Sequence, residues 1–264
     1  MNATHPAVAA ATPGNALLLG WFQERRCVHI ESTHPREQDP AFALGAGSSF
    51  EELRPLTLLL PDEEAALLAY ARALTFWRSR HQFCGNCGAP TLAARAGHVI
   101  RCTDIECGQE TFPRLDPAII VLVTDGERAL LGRQASWPAG RYSTIAGFVE
   151  PGESLEDAVA REVFEETGIR VATSRYHSSQ PWPFPCSLML GFEARALPGE
   201  IHCHDSELED ARWFTRADIA AGVPKLPPVT SISHRLIEHW FDAGSDRPLA
   251  EYPEVGLWDA RTSR

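Results

Sequence analysis

The sequence lacks any apolar run that approaches the ~20 residues needed to span a bilayer. It is also short of basic charge, with 24 Lys and Arg against 35 Asp and Glu and a net charge of −11 at pH 7. This balance argues against wholesale binding to nucleic acid or to an anionic membrane, because those partners need a basic stripe. The surplus of carboxylates instead suits a protein that concentrates divalent cations.

The N-terminal stretch MNATHPAVAAATPGNA has no basic residue and no sustained apolar core, so it is a poor secretion signal. The seven cysteines are an odd number, which together with this stretch argues against a disulfide framework. We therefore expect a disordered tail over residues 1–16 and a cytoplasmic protein without membrane association.

The remaining chain divides into three predicted parts. Residues 17–81 read as a small N-terminal α/β domain that ends in the helical stretch PDEEAALLAYARALTFWRSRH. Residues 82–113 carry clustered cysteines. Residues 114–264 open with PAIIVLV, which predicts a buried strand, and continue with further strand-like runs and two predicted helices, at Ser154–Thr167 and about Ser231–Trp240. The fold class is therefore α+β.

Four of the cysteines form two pairs, in CGNC and in CTDIEC. Two cysteine pairs on tight turns are the usual way to build a tetrahedral thiolate zinc site, and the alternative of four unrelated buried cysteines does not explain the pairing. The sequence predicts one structural zinc ion, held by Cys84, Cys87, Cys102 and Cys107. A ribbon of this size has almost no hydrophobic core, so loss of the metal should unfold it locally.

The segment GFVEPGESLEDAVAREVFEETGI contains Glu162, Glu165 and Glu166 at helical spacing, and their phase matches that of its apolar residues. A solvated charged face is the alternative, but this phase predicts that all three carboxylates face the protein body. There they would be strongly destabilised without a cation, and hard oxygen ligands favour Mg²⁺ or Mn²⁺. Arg161 should lie too close in sequence to contact the three glutamates, and should pair with Glu153 or a loop carboxylate instead.

This segment resembles the Nudix box and matches its fixed positions without a departure. The resemblance implies an α/β/α sandwich around a mixed sheet, and hydrolysis of a nucleoside diphosphate linked to another moiety. Divalent ions would screen the phosphate oxygens and lower the pKa of bound water, and a carboxylate would take the proton. The resemblance implies these catalytic and ion-binding residues: Glu162, Glu165 and Glu166, with Glu166 helping to activate water, the backbone carbonyl of Ala146, and Arg161 with Glu153 as the pair that orients the loop.

A second motif, SQPWPFPCSLM at residues 179–189, alternates proline with aromatic residues. Proline restricts the backbone, so the motif predicts a stiff loop whose flat aromatic faces suit a base; the alternative is a packed turn with core aromatics. With the box and the cysteine ribbon, it resembles the NADH pyrophosphatase branch of the Nudix family over about residues 77–237. That branch implies a homodimer that cleaves NAD(H) to AMP and a nicotinamide mononucleotide and removes NAD caps from RNA.

The same resemblance implies further site residues. Glu207, six residues before Trp213, stands where the branch keeps another metal-binding glutamate. Ser233 stands where the branch usually has alanine in contact with the substrate, which is a departure. The implied substrate contacts are Phe112, Phe148, Gln180, Pro181, Trp182, Pro183, Phe184, Pro185, Cys186, Ser187 and Ser233. Of these, Phe112 and Phe148 are implied to stack on a base, either within one subunit or across the dimer.

Three other functions stay open at this point. One is a broader hydrolase of ADP-ribose or dinucleotides, and another is an RNA decapping enzyme that uses the same site. The acidic balance weakens decapping as a sole role, since RNA binding normally shows a basic track. The last is a catalytically silent Nudix sensor with the zinc ribbon as a binding module, and the intact glutamates argue against it.

Overall fold

The computed structural model describes residues 11–12, 14–31, 51–203 and 207–258. Most of the predicted tail over residues 1–16 lies outside the described residues, and Ala16 already begins a strand. The chain divides into two compact units, residues 1–115 with 183–186 and residues 116–182 with 187–264. Within the described ranges, no helix combines the length and the apolar character that a membrane crossing requires.

The first unit begins with a hairpin and two helices. The long helix has acidic residues in its first turn and basic residues in its last, and these charges stabilise the helix by interacting with its dipole. Its Leu74 and Trp77 pack with Leu17 of the hairpin and Ile100 to form a small core. These elements are β1 (Ala16–Phe22), β2 (Arg25–Ile30), α1 (Leu53–Leu56) and α2 (Asp62–Arg80).

The cysteine-bearing part of the first unit is a three-stranded antiparallel ribbon of β3 (Thr91–Ala94), β4 (Val99–Cys102) and β5 (Glu110–Thr111). Each cysteine pair sits on a tight turn that a glycine closes. Gly88 and Gly108 have φ of 76° and 55°, a conformation that glycine adopts without steric cost. The two turns therefore present their four cysteine side chains toward one point, where all the sulfur atoms lie within 4.8 Å of one another.

A mixed six-stranded sheet organises the second unit. The strands are β6 (Asp116–Thr124), β7 (Arg128–Arg133), β8 (Ile145–Phe148), β9 (Val171–Trp182), β10 (Ser187–Ala196) and β11 (Asp210–Thr215). Their order is β11-β7-β6-β10-β9, with β8 also paired to β6. The central strand β6 runs parallel to β10 and antiparallel to β7 and β8.

Helices cover both faces of this sheet. Ile119, Val121 and Val123 of β6 pack in one core cluster with α3 (Leu155–Thr167), whereas Ile120 and Leu122 pack in a second cluster with α5 (Ile232–Asp242). A short helix, α4 (Arg216–Ala220), follows β11. Because both faces of β6 are buried, its sequence is a continuous apolar run. The predicted α/β/α sandwich with a mixed sheet is confirmed.

The prediction of a loop over the whole second motif is wrong. Strand β9 extends to Trp182 and β10 starts at Ser187, so only the four residues between them form a turn. Pro181 lies inside β9, opposite Leu188. Among the described strands β9 is at the edge of the sheet, where proline is tolerated because one side of the strand makes no ladder hydrogen bonds. The tertiary pairing therefore overrides the local signal of the prolines.

Candidate active site

Helix α3 carries the acidic cluster between well-defined ends. The Ser154 hydroxyl accepts a hydrogen bond from the backbone N–H of Asp157 at 3.1 Å, and Gly168 closes the helix with φ of 72°. Glu162 and Glu166 are only 9% and 4% exposed, whereas the side chain of Glu165 is 51% exposed. The expectation that all three carboxylates face the body is right for two of them and wrong for Glu165.

The helical phase explains the difference. Taking 100° per residue, Glu162 and Glu166 fall near the centre of the face that Ala158 and Val159 bury. Glu165 falls at the edge of that face, where its side chain reaches solvent. The helix therefore buries two carboxylates and leaves the third at the mouth of the site.

Glu162 is seated against strand β8 at Gly147. A side chain at position 147 would overlap the carboxyl group of Glu162. Glycine at this position therefore leaves a cradle that the carboxylate fills, one residue beyond Ala146, whose carbonyl is the predicted backbone ligand. Burial raises the pKa of Glu162; the adjacent Arg161 opposes this shift, and the negative charges of Glu165 and Glu207 add to it.

We expect Gly147→Ala to destabilise the protein by about 1–3 kcal/mol, because the added methyl group displaces a buried carboxylate in a packed site. Denaturant unfolding would measure this loss. Gly85→Ala is the matched control, since a side chain there would meet nothing within 4 Å. A Gly147→Ala variant as stable as the Gly85→Ala variant would contradict the close approach.

Arg161 connects the helix to the loop before it. Its guanidinium donates two hydrogen bonds to Glu153, at 2.8 and 2.9 Å, and one to the carbonyl oxygen of Phe148 at 2.9 Å. The same group contacts Glu162 at 2.9 Å and Glu165 at 3.0 Å. Pairing with Glu153 is thus confirmed, and the expectation that Arg161 lies too close in sequence to contact the glutamates is wrong. Its long side chain folds back along its own helix, where Glu165 is an i+4 neighbour.

These residues fit a hard divalent cation. Glu162 and Glu166 are buried, Glu162 fills the space that Gly147 leaves, and carboxylate oxygens of this kind bind Mg²⁺ or Mn²⁺. Among the described residues, the carboxylates of α3 do not form a group whose ligand atoms all lie within 4.8 Å of one another. The guanidinium of Arg161 contacts both Glu162 and Glu165 through Nη1, at 2.9 and 3.0 Å. Glu207 is exposed at the start of the segment that leads into β11.

The four paired cysteines come together in the ribbon. Their sulfur atoms all lie within 4.8 Å of one another, with Cys84 to Cys107 at 3.8 Å and Cys87 to Cys102 at 3.4 Å. Sulfurs around a tetrahedral zinc are about 3.8 Å apart when each Zn–S bond is about 2.3 Å. The Asn86 side-chain amide hydrogen-bonds the Cys107 sulfur, chiefly lowering the pKa of that thiol to about 7. The cluster thus fits a closed structural zinc site.

The turn between β9 and β10 belongs to the first unit and contacts α2 there. Arg72 donates a hydrogen bond from Nε to the carbonyl oxygen of Pro183 at 2.9 Å. Its guanidinium carbon also lies 5.1 Å from the ring centroid of Phe184, within cation–π range. The sequence does not predict this contact, since no motif spacing links Arg72 to the distant turn.

Two predicted substrate contacts have their polar groups engaged within the second unit. The Gln180 amide donates to the carbonyl oxygen of Thr230 at 2.7 Å and accepts from the N–H of Ile232 at 2.8 Å. The Ser233 hydroxyl, 3% exposed, accepts from the backbone N–H and hydroxyl of Thr144. A substrate contact by either side chain stays a prediction, and it would require these bonds to be exchanged.

The predicted aromatic and turn contacts differ in exposure. Phe112 of the first unit is 58% exposed and Phe148 of the second unit is 59% exposed, so each offers a ring face to solvent. Trp182 and Phe184 are half-buried. Of the other predicted contacts, two prolines are exposed and three residues are buried: exposed Pro181 and Pro185, and buried Pro183, Cys186 and Ser187.

Family models match nearly the whole chain. A NUDIX domain matches residues 114–240, an NADH pyrophosphatase zinc ribbon domain matches residues 79–112, and an NADH pyrophosphatase-like rudimentary NUDIX domain matches residues 4–77. The first match contains the sandwich and its acidic helix, and the second contains the four-cysteine ribbon. The third covers the part of the chain that was hardest to interpret from sequence.

Curated relatives agree with these matches. The human NAD-capped RNA hydrolase NUDT12 is 42% identical over 201 residues, which cover 70% of this chain and 44% of NUDT12. The chain therefore spans less than half the length of that relative. The NAD-capped RNA hydrolase NudC of Stutzerimonas stutzeri is 44% identical, covering 78% of this chain and 73% of that protein, and NudC of Chromobacterium violaceum is 47% identical, covering 72% and 69%. The chain belongs to the Nudix hydrolase family, in the NADH pyrophosphatase branch that carries a zinc ribbon.

Proposed function

We propose that this protein is a Mg²⁺- or Mn²⁺-dependent hydrolase that cleaves the pyrophosphate bond of NAD(H) to AMP and nicotinamide mononucleotide. The observation that carries the proposal is the pair of buried carboxylates on α3, Glu162 and Glu166, with Glu162 seated against Gly147. The single positive charge of Arg161 is shared among Glu153, Glu162 and Glu165, so the cluster keeps a net negative charge that a divalent cation would compensate. Family membership and the names of the relatives support the substrate class.

Each residue of the site has a proposed role. Divalent ions bound there would screen the phosphate oxygens and lower the pKa of the attacking water. Glu166 accepts the proton from that water. Arg161 and Glu153 hold the loop before α3 in place through their paired hydrogen bonds, so that the backbone of β8 stays beside Glu162. The ion-holding groups are Glu162, Glu165, Glu166, Glu207 and the carbonyl oxygen of Ala146.

Aromatic faces and the hairpin of β9 and β10 are proposed to recognise the dinucleotide. Phe148 directly follows Gly147 and is exposed, so its ring can stack on a base beside the proposed ions. Phe112 is a second stacking candidate. The same proposal includes a homodimer, one structural zinc per chain, and substrate contacts from the residues of the second motif.

Removal of NAD caps from RNA is a second candidate, favoured by the names of the relatives. The net charge of −11 predicts that such recognition is confined to the cap, because a longer RNA track needs basic residues. Decapping rates should therefore depend weakly on the sequence and length of the RNA body.

The test compares NADH, NAD⁺, ADP-ribose and NAD-capped RNA with the purified chain and Mg²⁺ or Mn²⁺, and separates the products by chromatography. We expect AMP and reduced nicotinamide mononucleotide from NADH. Cleavage at the glycosidic bond, or no AMP from any dinucleotide, would contradict the proposal. ADP-ribose as the fastest substrate would favour the broader Nudix hydrolase, and binding without turnover would favour the silent sensor.

We expect Arg72→Ala to raise KM for NADH about tenfold with a smaller effect on kcat. The change removes the hydrogen bond to Pro183 and the cation beside Phe184, so the turn loses its fixed position while the acidic helix is untouched. Steady-state kinetics measure both constants. Arg72→Lys keeps the charge but loses the planar donor, so its KM should fall between those of the unaltered protein and Arg72→Ala. An unchanged KM in both variants would mean that the turn does not position substrate.

A further inference from the structure

A β-bulge redirects one histidine of the second unit. The pairing of β9 with β10 shifts by one residue between Gly191 and Phe192, which leaves His177 as the extra residue. Bulges turn a side chain to a new direction and are frequent beside functional sites. The ring centroid of His177 lies 4.8 Å from that of His239 in α5. The irregularity thus brings an imidazole of the edge strand to the helix that covers this face.

Glu193 of β10 completes the group. Ligand atoms of His177, Glu193 and His239 all lie within 4.8 Å of one another, and Glu193 Oε1 is 3.4 Å from His239 Nε2. Three separate elements, two strands and a helix, contribute one ligand each. No spacing in the sequence connects these positions, so only the fold brings them together.

The donor set is that of a transition-metal site. Two imidazole nitrogens and one carboxylate oxygen are three of the four ligands that zinc takes in open sites, where water fills the fourth position. A cavity of about 360 Å³ that is open to solvent lies at the two histidines and leaves room for a fourth ligand. It is lined by His177, Arg235, Glu238, His239, Asp242 and Ala243.

Two arginines lie near this cluster, and their positive charges should lower its affinity for zinc. Arg175 holds the other oxygen of Glu193, Oε2, at 2.7 Å, and Arg235 lines the cavity. Glu238 and Asp242 on the same helix offset this positive charge. Since Oε1 of Glu193 stays directed at His239, the three ligand atoms keep their arrangement. Zinc should therefore bind more weakly here than at the four thiolates, and should exchange with the solution.

We propose that His177, Glu193 and His239 form a second zinc site, which ties α5 to the edge of the sheet formed by β9 and β10. The site is separate from the four-cysteine ribbon and from the carboxylates of α3. It does not depend on the proposed hydrolysis, because it involves none of those residues.

The test is equilibrium dialysis of the full chain against Zn²⁺ in excess Mg²⁺, with zinc counted per chain. We expect the unaltered protein to bind one zinc more than His239→Ala and His177→Gln. Saturation should raise its Tm by about 5 °C, and this rise should be absent in both variants. His239 is about half exposed, so its replacement leaves the fold intact.

Glu238→Gln is the matched control, because this residue lines the same cavity without belonging to the three ligands. It should retain the additional zinc. Zinc that enters the α3 site binds equally to all the proteins and cancels in the comparison. Equal zinc in the unaltered protein and both histidine variants would overturn the proposal and leave only a ring contact and an ion pair.

Discussion

Glu166→Gln is expected to lower kcat for NADH by about 10³-fold, since a glutamine amide cannot accept the proton from water. The side chain is 4% exposed and the substitution keeps its shape, so the fold should survive. Steady-state kinetics in saturating Mg²⁺ measure the effect, and circular dichroism checks the fold. The loss should appear in kcat rather than in KM, because the missing interaction belongs to the chemical step.

Glu156→Gln is the control, because it removes the same charge from an exposed position of the same helix. Its kcat should stay within about twofold of the unaltered protein, as expected for a surface change away from the site. Unfolding of Glu166→Gln would assign this glutamate a structural role. Unchanged turnover with an intact fold would exclude it as the proton acceptor.

Loss of the ribbon's zinc is the second large effect. Cys84→Ser, or a chelator that strips the four-cysteine site, should lower bound zinc from about one per chain to nearly none at low free zinc. Structural zinc sites contribute roughly 10–16 kcal/mol of apparent binding energy, and this energy is folding energy. The ribbon has few buried apolar side chains of its own besides Cys84 and Cys102: Val99, and Ile100, which packs on the small core of the first unit. Hydrogen exchange of the amides of β3–β5 should lose its protection.

The matched control is Cys203→Ser, which changes an exposed cysteine of the second unit. It should leave the tightly bound zinc and the ribbon's protection unchanged. The amides of β6, at the centre of the sandwich, should stay protected in both variants. A Cys84→Ser protein with full zinc and a protected ribbon would show that the cysteines are not ligands.

The sequence was most informative where local signals agreed with the tertiary structure. In α3, the cap at Ser154, the glycine at Gly168 and the apolar period all specify one helix in one orientation. The same period placed Glu162 and Glu166 on the buried face. It did not predict that Glu165, at the edge of that face, is exposed. Nor did it predict the conformation of the long Arg161 side chain, which contacts Glu162 and Glu165.

Pairing between distant segments limited the prediction elsewhere. Prolines in the second motif indicated a loop, yet Pro181 fits an edge strand, and edge position is a property of the assembled sheet. Arg72 and the cluster of His177, Glu193 and His239 likewise join residues that are far apart in the chain. The bulge that directs His177 toward α5 depends on the register of two strands, which local patterns do not encode.

We infer that divalent ions compensate the carboxylates buried on α3 and act on a phosphoanhydride. A crystal structure with Mg²⁺ and a non-hydrolysable NAD analogue tests it most directly. We predict density for Mg²⁺ between the carboxylates of Glu162 and Glu166 and the diphosphate oxygens. Carboxylates that still pair only with Arg161, with the diphosphate bound elsewhere and free of metal, would contradict the account.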